Sequence, residues 1–130
     1  MLVHFPIALI VAAFGCELVW AATRGRAWRI AGVANLRIGA AFAIASAAAG
    51  WIFAWSPMVD TSPTLEWHRW LGTCATIAAV GSVVLDRLFE DRSSRSIWMY
   101  RAALAGASAL IAVTGHLGGV LVWGAHFWRW

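Results

Sequence analysis

The sequence predicts an all-α integral membrane protein: a four-helix bundle in up-down-up-down order, with both termini on the periplasmic side. Three observations predict it. Hydrophobic residues make up 62% of the 130 positions and charged residues only 12%, about half the charge of a typical soluble domain. Four apolar segments are each long enough to cross a bilayer, which takes roughly 20 residues. The connections between them are short, so consecutive helices are antiparallel neighbours. One domain covers residues 1–130.

The first span is predicted over about 2–22. It lacks the basic leading region of a secretory signal peptide, and its apolar run is long enough to span. The second, about 30–55, contains a run of small residues from Gly39 to Gly50, which lets helix backbones approach closely in lipid. The third, about 63–85, opens at Ser62-Pro63, an N-cap followed by proline in the first helical position. The fourth covers about 97–123.

Orientation follows from arginine, because all ten basic residues are Arg. Arg24, Arg26 and Arg29 lie in the first loop with Arg37 just beyond. Arg87, Arg92 and Arg95 lie in the third, with Arg101 just beyond. The second loop carries no base, and Asp60 and Glu66 lie in or near it. Basic loops stay cytoplasmic, which gives a multi-pass protein of the bacterial inner membrane. The ten Trp, many near span ends, suit the headgroup zone. A pI near 10.5 does not point to nucleic acid, because the arginines are spread over loops and helix ends rather than gathered on one face. Cys16 and Cys74 form no C-x-x-C pair and no C-x-x-C-H run, which excludes covalent c-type haem. They read as small apolar residues.

The four histidines carry the chemical signal. His4 opens the first span, His68 lies about five residues into the third, and His116 lies seven residues before Trp123. His126 follows the fourth span. At about 1.5 Å per residue, His68 and His116 sit roughly 8–12 Å inside the outer helix ends, and His4 lies close to that level. An ionisable group inside a membrane is costly unless paired or coordinated. Imidazoles on facing helices are suited to ligate haem iron from both sides. Gly115, Gly118 and Gly119 around His116 would let a flat macrocycle lie against the backbone. Arg69 and Arg129 are at the right level for propionates. The competing explanations are a different metal, neutral histidines in the headgroup region, and glycines that serve helix contact.

At the other end, Glu17 lies about two turns from the cytoplasmic end of the first span. Arg37 and Arg101 are at similar depth and are its expected partners, as an ion pair fixing helix packing or, less simply, as part of a proton or quinone site. Asp86 with Arg87, and Glu90 and Asp91 with Arg92 and Arg95, read as solvated loop charges. No P-loop, metalloprotease or nucleophile–base motif is present.

His4-Phe5-Pro6-Ile7-Ala8-Leu9, His68-Arg69-Trp70-Leu71-Gly72 and Gly115-His116-Leu117-Gly118-Gly119 resemble the motifs of an uncharacterised bacterial family of four-helix predicted membrane proteins, along the whole chain. Members commonly carry Ile-His-Pro ahead of the first motif, where this chain begins Met1-Leu2-Val3. Such domains occur beside or fused to Rieske iron–sulfur and cytochrome modules. The resemblance therefore implies b-type haem, with His4, His68 and His116 matching family positions and His126 matching less well.

Together these features lead to one expectation: a small haem b subunit for one-electron transfer, rather than a stand-alone enzyme. Its partners would be a larger membrane redox complex or a periplasmic cytochrome or iron–sulfur protein. One haem would lie between the third and fourth helices, held by His68 and His116, with His4 able to replace either. A second haem on His4 and His126 is the variant. The rival expectations are a cofactor-free accessory subunit of a respiratory or photosynthetic complex, and a small metal or proton transporter.

Overall fold

A computed structural model describes residues 3–56, 62–88 and 93–124. It contains four helices: α1 (His4–Thr23), α2 (Arg26–Ala54), α3 (Pro63–Leu88) and α4 (Ser94–Trp123). All four are long and apolar enough to cross a membrane. The predicted spans are all present, but α2 and α4 begin earlier and α3 ends later than their hydropathy suggested. Arg29, Asp86 and Ser96 are therefore helical, and the polar ends of these helices are longer than an apolar window detects.

Local chemistry sets the boundaries. Ser62 accepts a bond from the Leu65 amide at 3.2 Å ahead of Pro63, as the sequence suggested. Ser93 does the same for the Ser96 amide. α1 ends where Arg24 turns left-handed (φ 57°) and its amide closes on the Trp20 carbonyl.

Each helix packs on its sequence neighbours, and α4 closes the ring against α1. The core is built largely from alanine: Ala40, Ala43, Ala75, Ala79 and Ala107 with Ile10 and Ile111. A second cluster, toward the arginine end, joins Ala13, Leu36, Tyr100 and Leu104. Small side chains bring the helices close. A Cβ on Gly39 would lie 2.9 Å from the Ile10 side chain, and one on Gly32 would lie 3.2 Å from Cys16 Cβ. These glycines, seven residues apart, form the α1–α2 seam. Gly50, at the far end of the small-residue run, touches nothing within 4 Å.

Only 17–22% of each helix's most apolar window is buried in the bundle. The remaining apolar surface needs lipid or another chain to cover it. Trp28 and Trp98 are exposed at the arginine end, and Trp55, Trp67 and Trp123 at the histidine end. That is the arrangement of two interfacial belts. Cys74 is exposed rather than buried, and neither cysteine is in a disulfide.

Candidate functional site

Polar chemistry gathers at the two ends of the bundle. At the arginine end Glu17 is the centre, with 3% exposure. Arg101 Nε donates to one carboxylate oxygen at 2.9 Å and Arg29 Nη1 to the other at 3.3 Å. One residue of α1 thereby holds both α2 and α4. Arg29 also pairs with Asp86 of α3, so all four helices contribute to the cluster. Arg29 lies over the Tyr100 ring at 4.9 Å, and Arg101 over Trp20 at 5.6 Å.

The Arg101 pairing matches expectation, whereas the Arg37 pairing does not. Arg37 meets Asp86 at 3.5 Å instead, because Arg29, two turns nearer the helix start, occupies the second Glu17 oxygen. Nor is Asp86 a solvated loop charge: its side chain is 7% exposed, in the last turn of α3. The cavity beside Glu17, Asp86 and Tyr100 is about 20 Å³, enough for about one water. The ion pairs of this cluster link all four helices.

At the histidine end, His68 Nδ1 lies 2.9 Å from the Thr114 carbonyl oxygen of α4. A carbonyl only accepts, so Nδ1 carries the proton and, in the neutral ring, Nε2 keeps the lone pair. A Cβ on Gly118 would lie 3.1 Å from His68 Cε1, and one on Gly115 would lie 3.0 Å from Ile7 Cδ1. Both glycines thus make room for side chains of this chain, while Gly119 has nothing within 4 Å.

This geometry corrects the expected His68–His116 pairing. His116 lies two residues from both Thr114 and Gly118, roughly 200° around α4 from the face that His68 touches, and it is exposed. The α3–α4 gap is closed by His68 itself, so a macrocycle does not fit there. His4 and His116 both lie near another seam. Ile7 meets Gly115 at the α1–α4 seam. His4 is one turn outward from Ile7 and His116 one residue outward from Gly115, in antiparallel helices. They therefore differ in depth by roughly 3 Å beside one seam, and both are exposed. Two imidazoles on adjacent helices are a donor set of the kind haem iron takes. Among the described residues no group of three His, Cys, Asp or Glu is arranged to hold a metal ion.

Arg69 faces away from that seam. Its guanidinium stacks on Trp51 of α2 at 4.1 Å, and Trp51 Nε1 donates to Thr73 at 3.0 Å. This α2–α3 tie was not foreseen. Its only sequence signal is Arg69 and Thr73 one turn apart opposite a Trp at the end of the preceding span. His126 and Arg129 lie outside the described residues, as do Glu90, Asp91 and Arg92 of the third loop.

Residues 1–127 match the family described as "Predicted membrane protein (DUF2231)". The chain belongs to this family. The expected kinship with uncharacterised four-helix predicted membrane proteins is thereby established, and it covers nearly the full length. No curated protein and no solved structure matches the chain.

Proposed function

We propose that this DUF2231 protein is a small membrane subunit that binds b-type haem at its histidine end and passes single electrons within a larger redox complex. What supports this reading is that His4 and His116 are both exposed and each lies within about one turn of the Ile7–Gly115 contact between α1 and α4. These two residues would hold the iron, and the bound group would supply a reversible one-electron couple. The chain's own residues do the positioning. Gly115 lets Ile7 close the seam beneath the two imidazoles. The His68 bond to Thr114 fixes α3 against α4 behind them.

The test is haem content after expression with haem supplied, measured as pyridine haemochrome per purified protein. His4→Ala and His116→Ala should each lose most of the haem, while His68→Ala keeps it and loses stability. Loss in His68→Ala at unchanged stability would overturn this ligand assignment.

A cofactor-free accessory subunit is the second reading. It is favoured by Gly115 and Gly118 being filled by Ile7 and His68, which accounts for these two glycines of the motif without a macrocycle. It predicts a folded protein that is colourless as wild type and equally so as His4→Ala and His116→Ala.

A further inference from the structure

A groove of about 600 Å³ opens on the outer side of α2 and α3 at the arginine end. One wall is the α2 stripe Ile30, Val33, Ala34 and Arg37; the other is Asp86 and Arg87 of α3, with Arg29 at the back. The spacing of 30, 33, 34 and 37 puts these residues on one face of α2. The wall is therefore apolar except where Arg37 stands.

We propose that this groove binds an anionic glycerophospholipid, with its phosphate between Arg37 and Arg87 and an acyl chain along Ile30, Val33 and Ala34. Charge is the first argument. Among the described residues three arginines line the groove against one carboxylate, Asp86, whose two oxygens are already engaged by Arg29 and Arg37. Arg87 makes no ion pair with any described residue and is exposed. Arg37 is 47% exposed, and its single bond to Asp86 is long at 3.5 Å.

Depth is the second argument. Arg37 lies eleven residues into α2, roughly 16 Å along the helix. Its guanidinium is half exposed within a helix apolar enough to cross a membrane, where a charge is costly unless an anionic partner meets it. Guanidinium suits phosphate because its planar fork gives paired charge-assisted hydrogen bonds. The apolar stripe beside it is what distinguishes a lipid from a soluble anion. Basic pockets between membrane helices on the cytoplasmic side recruit acidic lipids on these grounds.

The experiment is native mass spectrometry of the full chain released from detergent, titrated separately with phosphatidylglycerol and phosphatidylcholine. The anionic lipid should bind about tenfold or more tightly than the zwitterionic one. Arg87→Gln and Arg37→Gln should each lower that preference about fivefold, the order expected per arginine near a membrane surface. Arg26→Gln, at the same end but outside the groove, should leave it unchanged. Arg87→Gln is the decisive variant, because Arg87 holds no ion pair with a described residue, whereas Arg37 is bonded to Asp86. Equal binding of the two lipids would overturn the proposal. So would an equal loss in Arg26→Gln, which would indicate only a general attraction to the basic end. Displacement of the lipid by millimolar inorganic phosphate would also overturn it, in favour of a soluble-anion site.

Discussion

Replacing Glu17 with Ala should be among the most damaging single changes in the described bundle. The carboxylate is nearly inaccessible and takes one charged hydrogen bond on each oxygen, from Arg29 and Arg101. Those arginine side chains are only 16% and 21% exposed, so water replaces what they lose only in part. A hydrogen bond to a charged group is worth about 1.5–3 kcal/mol, and removing one partner of a buried ion pair costs about 3–5 kcal/mol. The expected loss for Glu17→Ala is therefore ~3–5 kcal/mol. The cluster itself changes from two carboxylates against three guanidiniums to one against three. That is why Arg101→Met combined with Glu17→Ala should be less destabilising than the sum of the two single changes. The assay is SDS-driven unfolding from detergent micelles followed by far-UV circular dichroism. Glu66→Ala, an exposed acid in the first turn of α3, is the control and should shift stability by about 0.5 kcal/mol or less. A Glu17→Ala loss below about 1 kcal/mol, the range of exposed pairs, would refute the claim that this carboxylate ties α1 to α2 and α4.

Gly39→Val should destabilise by about 1–3 kcal/mol in the same assay, because the new Cβ would meet Ile10 at 2.9 Å and its backbone nitrogen at 3.4 Å. Gly118→Ala and Gly119→Ala should differ in sign. The first crowds His68 at 3.1 Å, whereas the second enters open space and gains about 0.5–1 kcal/mol of helix preference. Topology is checked by cysteine labelling in a Cys16→Ser, Cys74→Ser background. Glu66→Cys should react with an impermeant maleimide on intact cells, and Ser94→Cys only after permeabilisation.

The fold was largely legible because in lipid the burial signal is simply length and polarity. Four apolar runs, Ser62-Pro63 and the short loops were sufficient. Side-chain pairing was less legible, because it depends on helix rotation and on turns hidden beyond the apolar windows. Asp86 next to Arg87 looked like a loop charge, yet α3 continues to Leu88 and turns Asp86 inward to Arg29. Arg37 and Arg101 stood at similar depth in the sequence, but only Arg101 faces Glu17. The histidines show the same limit. The residue counts give no rotation, and the two-residue offset of His116 from Thr114 and Gly118 sets it on a different face from the one His68 occupies. Gly115 and Gly118 likewise marked close approach without revealing what approaches.

The most direct test of the haem reading is a titration of haemin into the purified, detergent-solubilised protein, followed at the Soret band and then in the α-band region after dithionite. The account predicts saturation at one haem per chain and a sharp reduced α-band of bis-histidine type, both abolished in His4→Ala and His116→Ala. A linear, non-saturating rise identical in wild type and both variants would contradict it and leave the accessory subunit as the function of this bundle.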